Sequence, residues 1–112
     1  MARYVPNRGD VVWINFDPQA GHEQKGRRPA LIVSQRNYNA PSGLALCCPI
    51  TSRVKGYPFE VPVTPANGVR GVVLCDQVRN VDWRARNARL IIRASPECVD
   101  DVLAKIEALL SR

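Results

Sequence analysis

The chain has 112 residues, 46 % of them apolar, with nine prolines and a formal charge of +6. That composition excludes a disordered chain, and a chain this short buries one small core, so pairing with a twin would add useful burial. No apolar run approaches the roughly 20 residues of a membrane span, and residues 1–10 lack the apolar core of a secretion signal. A cytoplasmic protein with no membrane partner is the expectation.

In chain order, Gly9-Asp10 opens a first strand, Val11 to Phe16, which Asp17-Pro18 ends. A polar, glycine-bearing loop follows from Gln19 to Gly26. Pro29 precedes a second strand, Ala30 to Ser34. Arg36 to Ser42 reads as a turn or a short helix. Leu44 to Ile50 is a third strand, Thr51 to Gly56 a loop, and Tyr57 to Val63 a fourth strand with Phe59, Val61 and Val63 on one face. Asn67-Gly68 signals a hairpin. Val69 to Cys75, Gln77 to Val81 and Leu90 to Arg93 complete the strands.

The period then changes. Ser95 is a good N-cap and Pro96 suits the first helical position. Val99, Val102, Leu103, Ile106, Leu109 and Leu110 recur at helical spacing and make one apolar face. Short strands followed by one amphipathic helix predict a mainly β fold, a small antiparallel barrel with a C-terminal helix packed on it.

Thirteen of the sixteen basic residues are arginine. Residues 1–93 carry a net +8 and residues 94–112 a net −2, so the basic character belongs to the strands and their loops. Arginine grips phosphate bidentately and stacks on bases, which suits a nucleic-acid partner. Arg79, Arg84, Arg86, Arg89 and Arg93 share a stretch with Trp83, which reads either as a stacking platform for bases or as a core plug. The four cysteines, Cys47, Cys48, Cys75 and Cys98, have no CxxC spacing, and His22 is the lone histidine. The pattern supplies no metal site and calls for no cofactor; the thiols read as small core residues.

Two loops gather the chemistry-bearing groups. One runs Gly21-His22-Glu23-Gln24-Lys25-Gly26-Arg27-Arg28, and the other starts Thr51-Ser52-Arg53. An imidazole, a carboxylate, guanidiniums and a hydroxyl suffice for attack of a ribose 2′-OH on its own phosphate. Such attack needs a base, an acid and fixed positive donors at the phosphate. Arg28 is always protonated and would stabilise charge; Thr51 would donate to a phosphate oxygen; His22 and Glu23 would move protons. Solvated loops with no such role read equally from the same residues.

Four stretches in order carry a resemblance: Arg3-Tyr4-Val5-Pro6 with Gly9-Asp10, the run Asp17 to Ser34 centred on Arg28-Pro29, Pro49 to Val61, and Cys75 to Ala88. With these the chain resembles the MazF/PemK/Kid family of toxin endoribonucleases over its whole length, 1–112 forming one toxin domain. The resemblance implies an SH3-like barrel, a homodimer, and metal-independent cleavage of single-stranded RNA at short motifs. It also implies neutralisation by an acidic MazE-like antitoxin. The family's essential arginine falls on Arg28, its threonine on Thr51 and its loop glutamate on Glu23. The Kid branch's histidine and aspartate fall on His22 and Asp76, but its arginine falls on Leu74, so the MazF pair is the one carried over. Arg27 stands where similar MazF sequences have histidine. Lys25, Arg27, Ser52, Arg53 and Lys55, with Arg84 and Arg86, are the candidate RNA contacts. Asp76 could equally hold backbone at a strand junction. Two other readings are a CcdB-like gyrase poison, against which the polar end Leu110-Ser111-Arg112 speaks, and a non-catalytic RNA-binding barrel.

Overall fold

The computed structural model describes residues 3–17 and 26–112. The elements are β1 (Asp10–Asn15), β2 (Arg27–Ile32), α1 (Arg36–Ser42), β3 (Leu44–Thr51), β4 (Glu60–Pro62), β5 (Val72–Leu74), β6 (Arg79–Asp82), β7 (Arg89–Arg93) and α2 (Pro96–Leu110). A single 3-10 turn, Cys75–Gln77, joins β5 to β6. The expected mainly β architecture with a C-terminal helix is present. The sheet runs β4-β5-β3-β2-β1-β7, with β6 alongside β3, and every pairing is antiparallel. β4 and β7 end the order without pairing to each other, so the barrel is not closed by hydrogen bonds.

β3 holds the sheet together because it is long enough to serve three partners. Leu44 to Cys47 pair with β6, Cys47 to Pro49 with β2, and Ile50 and Thr51 with β5. Both faces of the sheet are covered. On one side Val11, Leu31, Val33, Cys48 and Ile50 pack beneath α2, through Cys98 and Val102, and beside Val61 and Val73. On the other side Val12, Ile14, Phe16, Ala30, Ile32, Ala45 and Cys47 meet Val81 and Trp83. Ala30, Leu31 and Ile32 of β2, like Val11 and Val12 of β1, therefore alternate between the two cores, which is why β2 reads as an unbroken apolar run rather than an alternating one.

Several local signals act as read. Ser95 accepts a hydrogen bond from the Cys98 N–H at 3.2 Å and caps α2. Asn67 (φ 51°) and Gly68 (φ 81°) make the turn that bridges Ala66 to Val69. β2 departs from expectation: it starts at Arg27 and runs through Pro29, which faces Trp13 of β1. The ladder from β2 to β3 begins only at Ala30. Proline has no N–H to donate, so the pairing to β3 starts just beyond it.

Trp83 is the core plug. It is 3 % exposed and donates its indole N–H to the buried Asn39 carbonyl at 2.9 Å. Asn39 also donates to the carbonyls of Pro6 and Ser34, so α1, the N-terminal segment and the 82–88 turn close over one core. Tyr57, at the start of the expected fourth strand, is 58 % exposed, whereas Phe59 and Val63 pack against the core.

All four cysteines are buried free thiols. Burial pushes Cys47 and Cys75 up to about 12, and raises Cys48 and Cys98 as well. Tyr4 is raised too, first by burial and then by its 2.6 Å hydrogen bond to Asp10.

Two tests follow from this packing. Gly71 has φ 106°, and a Cβ there would overlap the Thr51 carbonyl oxygen and crowd Ser52 Cα. Gly71→Ala should cost about 2 kcal/mol or more, a fall in Tm of roughly 10 °C; a melting curve within about 2 °C of the parent would contradict the close approach. The raised thiols favour the protonated form in the folded state, so their stabilisation is complete below the free-thiol pKa and declines as pH rises toward the folded values. Chemical denaturation from pH 8 to 11 should show stability falling once the unfolded thiols ionise, and a Cys47→Ala/Cys75→Ala variant should show a shallower decline.

Candidate functional site

Where β2 and β3 part company at Pro29, a recess of about 250 Å³ opens. Arg28 and Pro29 of β2, Trp13 of β1, and Ile50 and Ser52 of β3 and its following loop line it, with Gly68 and Arg70 from the hairpin beyond β4. Thr51 stands between Ile50 and Ser52 and is 7 % exposed. Its hydroxyl oxygen accepts from the Arg53 N–H at 3.1 Å, which shapes the start of the loop and leaves the hydroxyl hydrogen to donate elsewhere. The Thr51–Val72 register and the contact of Gly71 with the Thr51 carbonyl lock the Arg70 turn against the same spot.

The structure thus brings Arg28 and Ser52, 24 positions apart in the chain, to one recess, with Thr51 next to Ser52 on β3. His22, Glu23 and Lys25 lie outside the described residues. Asp76 sits on the turn after β5, at the opposite end of that strand from Arg70 and away from the recess. It is exposed, and its carboxylate makes no hydrogen bond or ion pair among the described residues, so it does not serve as a backbone clasp there. Arg53 and Lys55 are exposed on the 52–59 loop, with the Lys55 ammonium 5.8 Å from the Tyr57 ring centre. Loop backbone N–H groups at Lys55 and Gly56 donate to Glu60.

Other candidates have internal duties. Arg86 donates to the carbonyls of Asn15 at 3.0 Å and Asp17 at 2.9 Å, clamping the 82–88 turn to the end of β1. Arg27 donates to the Asn87 carbonyl at 3.1 Å. Arg84 lies over the Trp83 ring at 5.1 Å. The stacking reading of this stretch is corrected: its tryptophan is buried, and the partly open indole at the recess is Trp13, 37 % exposed.

Sequence reasoning missed Trp13 and Arg70, and grouped Arg79 with the Trp83 stretch. Arg70 is exposed and has no partner among the described residues. Arg79 lies over the Phe16 ring at 5.7 Å, with one buried guanidinium nitrogen unpaired. The available signal for Arg70 was its place just past the Asn67-Gly68 hairpin. Nothing short of the β3–β5 register shows that this turn returns to Thr51. Among the described residues no three His, Cys, Asp or Glu side chains are grouped to hold a metal ion, and no helix is long and apolar enough to cross a membrane.

Guanidiniums, a hydroxyl and a partly open indole gather around a strand-end recess of this small basic β protein. A family model described as PemK-like, MazF-like toxin of type II toxin–antitoxin system matches residues 7–110. The chain is 46 % identical over 110 residues to the endoribonuclease toxin MazF of Escherichia coli strain K12, with 98 % of each covered. It superposes on a crystal structure of MazF from Deinococcus radiodurans with a TM-score of 0.92 at 52 % identity, covering 96 % of this chain and 98 % of that one. A MazE–MazF structure from the same organism gives 0.86 at 45 % identity, covering 97 % and 98 %. The chain belongs to the family of PemK-like, MazF-like toxins.

The contrast between clamping and open arginines can be measured. Arg86→Ala removes two hydrogen bonds that hold the end of β1 and should cost about 1–2 kcal/mol, lowering Tm by roughly 5–10 °C. Arg53→Ala, on the open loop, should leave Tm within about 2 °C. Equal melting of the two variants would remove the distinction.

Proposed function

We propose that this chain is the toxin of a type II toxin–antitoxin pair, and that it cuts single-stranded RNA without a metal ion by attack of a ribose 2′-OH. The whole chain, 1–112, acts as one toxin domain. The observation that carries the reading is the shared recess of Arg28 and Ser52 beside Thr51, at the positions the family resemblance marks. The relatives' description as endoribonuclease toxins supports it.

In this scheme the scissile phosphate lies against Arg28, with Thr51 donating its hydroxyl hydrogen to a phosphate oxygen. The planar guanidinium binds the developing phosphorane charge without giving up a proton. Arg70 supplies a second cation from the opposite wall, and the Trp13 indole offers a face for a neighbouring base. The 2′-oxygen gives its proton to a base and bonds to phosphorus. The bond from phosphorus to the 5′-oxygen breaks, and that oxygen takes a proton. Products are a 2′,3′-cyclic phosphate and a 5′-hydroxyl. Glu23 and His22 are the candidates for the two proton transfers, with Asp76 a further carboxylate. Arg27, Arg53, Lys55, Lys25, Arg84 and Arg86 surround the strand's path with positive charge.

Leu46 and Leu90 are apolar side chains left 39 % exposed on the strands, which favours a homodimer that buries them. Inhibition by an acidic antitoxin follows from charge: an anionic peptide laid over the recess would occupy the guanidiniums that RNA needs. The MazE–MazF structure of a relative is in keeping with this. A cytoplasmic location fits an RNA substrate.

The test is cleavage of single-stranded RNA in excess EDTA, with a matched oligonucleotide carrying 2′-deoxyribose at the cut. The ribo-oligonucleotide should be cut to a cyclic phosphate and the deoxy-substituted one left whole. Arg28→Ala should lower the rate by about 10²–10³ with an unchanged melting curve, and Arg70→Ala by about tenfold. A strict Mg²⁺ requirement, or cutting of the deoxy-substituted oligonucleotide, would overturn the mechanism.

A further inference from the structure

At the other end of β1 from the recess lies a cavity of about 560 Å³. The N-terminal segment, the start of α1, the end of β7 and the start of α2 wall it. Three arginines line it, Arg8, Arg36 and Arg93, against a single carboxylate, Asp100. Nothing in the resemblance or the family match assigns it a role.

All three arginines are held in place, and two of them, Arg8 and Arg36, have no carboxylate partner among the described residues. Arg8 Nε donates to the Val33 carbonyl at 2.7 Å. One terminal nitrogen of Arg36 donates to the Val5 carbonyl at 3.3 Å, while the Arg36 backbone N–H is fixed by Asn7 at 2.8 Å. Arg93 meets Asp10 at 3.4 Å and is otherwise open, its side chain 75 % exposed. Each guanidinium has five N–H donors and spends one or two of them on the protein. The wall is stapled by Gly9, whose N–H donates to Ile32 and whose carbonyl accepts from Ala94. With Asp10 paired to Arg93 and Asp100 on the wall, the three guanidiniums still outnumber the carboxylates beside them, and an anion would offset the repulsion that remains.

We propose that this cavity is a second RNA-binding site, which holds a backbone phosphate of the strand flanking the cut. It rests on the ribonuclease reading above. The geometry favours RNA over an acidic peptide for two reasons. The cavity and the cleavage recess lie along the same strand, Gly9 and Trp13 being four residues apart, or about 13 Å. A nucleic-acid strand carries charge at every linkage, so one held at the recess necessarily offers phosphates further on; an acidic side chain has no such fixed spacing. Gln35 and Asn37 on the same wall add amides that both donate and accept, which suits sugar hydroxyls and base edges.

The experiment uses uncleavable RNA with 2′-deoxyribose at the cut, mapped first with the protein itself. One oligonucleotide covers only the cleavage motif; two others extend it on the 5′ or the 3′ side. Binding is followed by fluorescence anisotropy over a salt series. For Arg8→Gln/Arg36→Gln, the short oligonucleotide should bind, and its ribo form be cut, as with the parent. One of the extended oligonucleotides should lose about tenfold in affinity, and its log K against log salt slope should flatten by about 1.4 for two lost contacts. Because those arginines also anchor backbone, Asp100→Asn is the complementary variant: it removes the lone carboxylate and should tighten the same extended oligonucleotide while leaving the short one alone. Equal effects on short and extended RNA, no effect on either, or an effect confined to an acidic peptide would each overturn the second site. Failure of the parent to bind or cut the short RNA would instead defeat the ribonuclease reading.

Discussion

The missing N–H of Pro29 shapes the end of the molecule where the recess opens. β2 keeps its register with β1 through this position, Trp13 opposite Pro29, but joins β3 only from Ala30 onward. The two strands are free to separate at the proline, and the gap is where Arg28 and Ser52 share a recess. A donor at position 29 would favour one more rung toward Ile50, and with it a narrower opening. β3 then turns its last two residues to β5, which carries the Gly71 contact and the Arg70 turn to the other wall. One absent hydrogen bond and one absent side chain thus set the width of the site.

The arginines divide by what their nitrogens already do. Arg86 and Arg27 spend donors on carbonyls, and Arg84 lies over Trp83. Arg70 and Arg53 make no such commitment among the described residues. A basic composition therefore overstates the surface available to an anion, since part of it stitches turns together. The excess of arginine over lysine suits both roles, because a planar fork can hold a carbonyl with one edge and present another to solvent.

Much of the fold was legible where a local rule decides the conformation. Ser95 and Pro96 start α2, Asn67-Gly68 turns a hairpin, and the helical spacing of Val102, Leu103 and Ile106 marks a stripe packed on the core, although Leu109 and Leu110, expected on the same face, are exposed. Pro29 misled because proline reads as a strand's outer limit, whereas here it sits inside a strand with the β3 ladder starting one residue on. Trp83 and Trp13 could not be told apart by composition; which one fills a core depends on Asn39, more than 40 residues from Trp83. Of the recess, Arg28 and Ser52 stand in stretches that the motif singled out, with Thr51 beside Ser52. Arg70 was not, because its place beside them is set by strand register across the sheet. No short-range pattern encodes that.

The pairing of β1 with β7 has a consequence for how the chain comes into being. The strand made first, Asp10–Asn15, finds its outer partner only in Arg89–Arg93, and the helix that covers one core comes later still. Synthesis proceeds from the N-terminus at a few residues per second or faster, so a nascent chain lacks this edge and this cover until nearly all of it has been made. Long-range pairing of this kind makes folding a late and concerted event rather than a gradual one. The ribosome that builds the chain therefore carries an unfinished fold almost to the end of translation.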